Sequence, residues 1–327
     1  MSVTIRDIAE RAGVSIGTVS RALKNQRGLS EETRRLVRRV ARELGYDDRR
    51  LRQGSARRLV FLLHRSHSAF AANPFFADVL HGVEEACREY GAVPTLLSTG
   101  PAEPVREQLR LHEPDAVICA GFFDDDVLAQ LAELELPMAL VDFWLPGWRS
   151  VNPDNAEGAR TATQHLIDGG RQRIAYLGGS LAQFSIRERE RGYRRALFEA
   201  GRLADPDLEV LAPPGLGVEE GAAAAMKTLL ARRVRPDAVF VYNDAAAMAA
   251  MRAALAAGHR VPEDIAFVGF DDIPAAAFAP VPLSTVRMDR EALGRRGVDL
   301  VMRADELPQE TLLPVELVVR HSSAPLR

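Results

Sequence analysis

Residues 3–21 read VTIRDIAERAGVSIGTVSR, and this stretch leaves the chain little choice of local structure. Thr4 with Asp7 has the form of a capping box opening a first helix. Ile5, Ile8, Ala9 and Ala12 recur at helical spacing and give that helix one apolar face. Gly13 stands where a left-handed turn residue belongs, and Val14 closes the core behind it. Ser15 is placed to cap a second helix whose buried residues are Val19 with Ala22 or Leu23. A third helix follows, capped by Ser30 and stopped by Gly45, with Leu36, Val37, Val40, Ala41 and Leu44 as its apolar stripe. The spacing predicts helix-turn-helix geometry, with the second helix offered to a DNA major groove. An ordinary helical hairpin is the alternative.

Charge separates the two readings. Residues 1–60 carry 15 Arg and Lys against 7 Asp and Glu, an excess of eight positive charges. The whole chain is −3, which leaves −11 on the remainder. A basic head on an acidic body is what a protein needs if only the head meets polyphosphate.

The head, TIRDIAERAGVSIGTVSRALKN, is followed by the Leu29-Ser30 cap and a closing LGY. It resembles the LacI/GalR family of bacterial transcription regulators, whose heads begin TIxDIAxxAGVSxxTVSRxLN. The resemblance continues, more thinly, to the C-terminus. It implies a homodimer on near-palindromic operator DNA, no cofactor, and a head that meets DNA through Thr4, Ser15, Ile16, Gly17, Thr18, Ser20, Arg21 and Asn25. Ile16, Gly17 and Arg21 are expected to face base edges, and Arg21 can fork onto guanine. The linker departs from the family. Relatives follow the GY pair with Pro-Asn and later a leucine that wedges into a minor-groove step. Here the segment reads YDDRRLRQGSARRLV, with Asp48 and Arg49 in place of Pro-Asn and Leu51 the sole wedge candidate. Arg49 and its neighbouring arginines can meet phosphates whether or not Leu51 inserts.

Length bounds the rest. At 327 residues the chain suggests two or three domains, and 47% hydrophobic content supplies a large core. The two cysteines, Cys87 and Cys119, imply no disulfide framework and read as small buried hydrophobes. No apolar run approaches a membrane span and the first residues do not form a signal peptide, so a cytoplasmic protein without membrane contact is expected. The end, HSSAPLR, carries no heptad leucine repeat, so no tetramer-forming tail is expected.

From residue 59 strands alternate with helices. LVFLL, VPTLLST, DAVICAG and PMALVDF are the strands of a first set. RIAYLGG, EVLAPP, DAVFVYN and IAFVGFD are those of a second, beginning after Asn155. The pattern predicts an α/β protein: a three-helix head at 1–46, a hinge linker at 47–58, and a two-lobed core of doubly wound parallel sheets at 59–327. The first lobe is expected over about 59–155 plus 284–305, the second over about 156–283 plus 306–327. In the family this is a periplasmic-binding-protein-like core enclosing a cleft.

Strand ends should supply that cleft. Asp142 ends PMALVD, Arg189 lies three residues before Gly192, Asn243 ends VFVYN, and Asp271 ends AFVGFD. In the proteins it resembles, an Asp, an Arg, an Asn or Asp, and an Asp at these positions hold the effector. Carboxylates accept hydroxyl protons and Arg donates a planar fork, which suits a sugar or sugar derivative. Phe75, Phe76 and Trp144 offer apolar faces for stacking. The competing reading of each polar residue is capping or packing, and Asp244 is an alternative to Asn243. Leu216 stands where many relatives carry a stacking aromatic. His64 and His67 read as solvated loop residues, since a bare pair three apart is a weak metal signal. Asp124, Asp125 and Asp126 read as N-terminal helix charges.

A secreted sugar-binding protein would lack the basic head. An enzyme or binding protein using the α/β cleft is the alternative, but the chain has no HExxH, no GxSxG and no Walker-type loop. A ligand-responsive repressor is the expectation.

Overall fold

The computed structural model describes residues 3–23, 28–44, 46, 57–65 and 74–324. The chain divides into two compact units, 1–57 and 58–327.

In the first unit each expected helix forms for the expected reason. α1 (Ile5–Ala12) opens on a capping box, with Asp7 Oδ2 accepting from the Thr4 amide at 2.7 Å and the Thr4 hydroxyl at 2.8 Å. Gly13 closes it at φ +66, where a Cβ would be strained, and the Val14 amide returns to the Ala9 carbonyl. α2 (Ile16–Leu23) starts with the Thr18 amide donating to Ser15 Oγ at 3.1 Å. α3 (Glu31–Glu43) repeats the device, Thr33 to Ser30 at 3.2 Å. Ile8, Val19, Ala22, Leu23, Val37 and Val40 are buried together, so both candidates at 22 and 23 face the core. The calls on Asn25, Gly45, Arg49, Leu51 and His67 lie outside the described residues.

The second unit holds two six-stranded sheets. Its elements run β1 (Arg57–His64), α4 (Phe75–Glu89), β2 (Ala92–Thr99), α5 (Val105–His112), β3 (Ala116–Ala120), α6 (Asp125–Ala132), β4 (Met138–Val141), β5 (Arg149–Pro153) and α7 (Asn155–Asp168). They continue with β6 (Ile174–Gly178), α8 (Phe184–Glu199), β7 (Glu209–Leu211), α9 (Val218–Ala231), β8 (Ala238–Val241), α10 (Asp244–Ala256), β9 (Ala266–Asp271) and α11 (Pro274–Ala277). The chain closes with β10 (Ser284–Met288), α12 (Arg290–Met302), β11 (Glu310–Leu313) and β12 (Val315–Val318). The first sheet is ordered β11-β5-β4-β3-β1-β2 and the second β12-β10-β9-β8-β6-β7. β12 runs antiparallel to β10, and β10 parallel to β9.

The C-terminal quarter corrects the expected lobe boundaries. Residues 284–288 do not return to the first lobe: Ser284 pairs with Val268 in the second sheet. Only α12 returns, packing on α4 and on β3, β4 and β5. Nor do residues 306–327 all end the second lobe, because Glu310 pairs with Ser150 and makes β11 the edge of the first sheet. Periodicity reports that a strand has a buried face but not which sheet supplies its hydrogen-bond partners. The chain therefore passes between the sheets at three places: β5 to α7, β10 to α12, and β11 to β12. Two of them touch, the Asp154 amide donating to the Leu313 carbonyl at 2.9 Å. Asp154 also caps α7, and Asp289 caps α12.

Glycines let the helix layers approach. A Cβ on Gly294 of α12 would lie 2.0 Å from the Val79 carbonyl oxygen of α4. One on Gly192 of α8 would lie 2.1 Å from the Ala156 carbonyl oxygen of α7. Backbone cannot yield as a flexible side chain can, so Gly294→Ala is expected to destabilise the protein by about 1–3 kcal/mol. A thermal melt checks this: the second unit's transition should fall by several degrees.

Candidate functional site

Three charged side chains from different elements meet where the two sheets face each other. Asp142 follows β4 in the first sheet, Arg189 lies on α8, and Asp271 ends β9 in the second. Arg189 is buried, with 4% of its surface exposed. Its Nε donates to Asn155 Oδ1 at 2.9 Å and its Nη1 to the Tyr242 carbonyl at 2.5 Å. Its Cζ sits 3.7 Å from the centroid of the Phe270 ring, a cation–π contact. Nη2 stands 3.3 Å from Asp271 Oδ1, close enough to attract but not aligned as a hydrogen bond.

The carboxylates are less well served. Asp142 Oδ1 and Asp271 Oδ1 are buried and have no hydrogen-bond donor among the described residues. Part of the Asp142 side chain stays open to the cleft. Burial pushes the Asp142 carboxyl up to about 7; Arg189 pulls it down, Asp271 pushes it up again, and the Ser185 hydroxyl pulls it down. Burial also raises Asp271, against Arg189 and Arg290. Both aspartates have left-handed backbone, φ +55 at Asp142 and +109 at Asp271, which non-glycine residues adopt at a cost of about 1–3 kcal/mol. Two carboxylates face one guanidinium, two of whose five N–H donors are taken by Asn155 and the Tyr242 carbonyl. The centre offers a ligand undonated carboxylate oxygens as acceptors and the remaining Arg189 N–H groups as donors.

Other expected effector residues are placed elsewhere or differently. Phe75 and Phe76 are buried at the start of α4, packed edge to face. Asn243 caps α10, its Oδ1 accepting from the Ala246 amide at 2.9 Å. Asp244 does not replace it: fully buried, it accepts from the Thr285 hydroxyl at 2.6 Å and the Ile273 amide at 2.9 Å. Trp144 stacks on Phe184 of α8, centroids 6.1 Å apart. Leu216 is exposed and supplies no wall. His64 is not a solvated loop residue; it ends β1 with only 9% exposed, its Nε2 3.1 Å from Asp124 Oδ2 and its ring against Phe122 and Phe123. No group of three metal-ligating side chains occurs among the described residues. Burial pushes the Cys87 thiol up to about 11 and Cys119 to about 12, as inert core residues should be.

Sequence reading missed Asn155, Phe270 and Arg290. The first two fix the Arg189 guanidinium. Arg290, at the start of α12, donates from Nε to Asp78 of α4 at 2.7 Å and holds the Asp271 carbonyl. Phe270 was adjacent to a chosen residue in the GFD strand end. Asn155 and Arg290 carried no periodic signal.

In the head, Ser15, Ile16, Gly17 and Arg21 are exposed while Thr18 and Ser20 are half-buried. Arg21 Nε donates to the Gly17 carbonyl at 3.3 Å, laying the guanidinium along the exposed side of α2.

A helix-turn-helix head followed by a two-sheet core with a charged centre is the build of a ligand-controlled DNA-binding regulator. Comparison with known proteins gives the same class. Residues 4–48 match the model for bacterial regulatory proteins of the lacI family, and residues 163–323 match that for a periplasmic binding protein-like domain. The HTH-type transcriptional repressor PurR of Photobacterium profundum is 33% identical over 346 residues, covering 98% of each chain. A solved transcriptional regulator CelR–cellobiose complex is 33% identical with a TM-score of 0.74, covering 98% of this chain and 99% of that one. The lac repressor dimer bound to operator and the anti-inducer ONPF is 26% identical with a TM-score of 0.72, covering 99% of both. The chain belongs to the LacI family of bacterial transcription regulators. Its relatives are regulators, not enzymes. Among the described residues no helix is long and apolar enough to cross a membrane.

The capping assignment of Asn243 is testable. Asn243→Ala is expected to cost about 1 kcal/mol through the lost cap, whereas Asn243→Asp keeps it. Urea denaturation of the two variants should show a lowered midpoint for the first only.

Proposed function

We propose that this chain is a repressor that acts as a homodimer on a near-palindromic operator and is controlled by a sugar or sugar derivative bound between the two sheets. The observation that carries the effector reading is the pair of undonated buried oxygens on Asp142 and Asp271 beside the Arg189 guanidinium. A polyol brings the donors such a centre lacks, and a ligand without them leaves buried groups unpaired. The CelR relative is solved with cellobiose, and the lac repressor as a dimer on operator. The two lobes, the head and the linker take the roles expected of them in the family, with α12 and β11 assigned to the first lobe. A thermal-shift panel of sugars, nucleosides and purine bases tests the reading. Stabilisation by a sugar supports it; stabilisation by a purine base alone overturns it.

The pH dependence has a definite sign. Asp142 titrates well above the ordinary carboxylate value, so its proton-linked contribution to stability is full below that value and is lost as pH rises through about 7. Hydroxyl donors favour the ionised carboxylate, so effector binding must release the proton below 7. Affinity is expected to rise with pH by up to about tenfold per unit below 7 and to flatten above it. Calorimetry across pH 5.5–8.5 measures this. Asp142→Asn, which keeps the shape, should bind weakly and without the slope.

On DNA we assign base reading to the exposed face of α2, with Arg21 on guanine and Ile16 and Gly17 at close approach. Thr4, Ser15, Thr18 and Ser20 set the register against phosphates. Arg21→Ala should lose about 1–3 kcal/mol of operator affinity and keep its salt-sensitive non-specific binding. Gel-shift titrations on operator and scrambled duplex at fixed salt decide it; equal loss on both would make Arg21 a phosphate contact only.

A further inference from the structure

Asp244 is fully buried, and among the described residues no cation lies within ion-pair reach of it. Burial pushes its carboxyl well above the ordinary value; Asp271 pushes it further, the Thr285 hydroxyl and the Ile273 amide pull it down, and Asp272 pushes it up. A buried carboxyl without a counter-charge is a burden on the fold. α10 does not need it as a cap, because Asn243 already fills that place.

What Asp244 holds is the turn after β9. Its Oδ2 accepts from the Ile273 amide at 2.9 Å. Its Oδ1 accepts from the Thr285 hydroxyl at 2.6 Å, and the same hydroxyl oxygen accepts from the Asp272 amide at 3.3 Å. The two amides that follow Asp271 are thus fixed by one carboxyl, the second directly and the first through Thr285. Thr285 is on β10, in register with Gly269 of β9. A Cβ on Gly269 would collide with Asp244 Oδ1, so β9 is bare where the carboxyl reaches it. Donors come to both carboxyl oxygens, and an amide side chain, with one acceptor oxygen, could serve only one of them.

Asp271 is where this grip acts. Its φ of +109 and the +48 of Asp272 form a run of left-handed backbone that persists only when its surroundings over-determine it. Arg290 holds the Asp271 carbonyl, and Asp244 with Thr285 holds the next two amides. We propose that Asp244 is a positioning residue for the effector site: without touching the ligand, its carboxyl and the Thr285 hydroxyl fix the backbone from which Asp271 meets Arg189 and the effector. The role toward a ligand rests on the effector reading of Asp271 given above; the role toward the turn does not. A ligand that donates to Asp271 needs its oxygens in one place, so a loosened turn costs affinity even where the fold survives.

Two near-isosteric variants of the full chain each remove one arm of the grip. Asp244→Asn keeps an acceptor for Ile273 and loses the one for Thr285; Thr285→Val keeps the Asp244–Ile273 bond and loses the link to Asp272. Should one fail to fold in a thermal melt, the other decides. Each is crystallised without ligand and titrated by calorimetry with cellobiose, D-glucose and D-ribose across pH 5.5–8.5, below its melting temperature. The expected result is a turn at 271–273 that leaves its left-handed conformation. A sugar that binds the parent protein should bind the variants about tenfold or more weakly, with the pH slope assigned to Asp142 kept. An unchanged turn in the variants overturns the proposal, as does a moved turn with parental affinity. Loss of the slope together with the affinity reports general damage to the site and overturns it too. If none of the sugars binds the parent protein, the effector reading falls instead, and the turn alone decides whether Asp244 positions Asp271.

Discussion

The Arg189 guanidinium is the contact on which the core's centre is built. It takes a carbonyl from the end of β8, an amide oxygen from the start of α7, and from β9 the ring of Phe270 and the field of Asp271, and so ties three segments to one buried charge. Burying a guanidinium is tolerable only when its donors are used and a counter-charge is near. Two donors are used and a counter-charge is near, yet the account does not balance. A second carboxylate, Asp142, faces the same cation from the other sheet. With one positive charge between two acids, the free centre retains a proton or gains donors from a ligand. On the effector reading proposed above, the ligand's chemistry answers this charge imbalance.

That imbalance was partly legible in the sequence. Asp142 and Asp271 end apolar strand runs, and Arg189 precedes the glycine that lets α8 touch α7, so strand-end logic and the family motif agreed. Asn243 also ends a strand, but a helix N-cap and a ligand contact want the same short polar side chain, and only coordinates tell which amide it meets. Phe75 and Phe76 meet a related ambiguity. Aromatics at the start of a helix serve equally as core or as wall, and here their rings are covered. β5 was invisible because RSVNP has no apolar alternation, and its Ser150 and Asn152 are buried although polar. The head was legible almost in full, since caps, turn glycine and stripe are local signals.

The backbone at the centre carries a cost that the packing must hold in place. Asp142, Asp271 and Asp272 all have positive φ, and aspartate tolerates that region better than most residues. Asp271 is fixed from behind by Arg290, which grips its carbonyl while reaching Asp78 on α4. Asp272 is fixed by Arg287 and Arg320. The strained turn after β9 is therefore clamped by arginines on α12, β10 and the C-terminal segment, and its side chain is presented to the cleft as a result.

These clamps bear on how a ligand can act at a distance. An effector moves an equilibrium only through contacts that differ between its states. Asp142 hangs from the first sheet and Asp271 from the second, so a molecule donating to both makes contacts that exist only at one sheet-to-sheet spacing. The three chain crossings permit that spacing to change, because each is short and two are joined by a single hydrogen bond from Asp154 to Leu313. Arg290 spans the same gap, from Asp78 on α4 to the carbonyl of Asp271. A ligand that bridges the two carboxylates must match the spacing this contact holds or break it. The direction of the response therefore rests on whether the donors of the effector reach both carboxylates while Arg290 keeps its hold on Asp78.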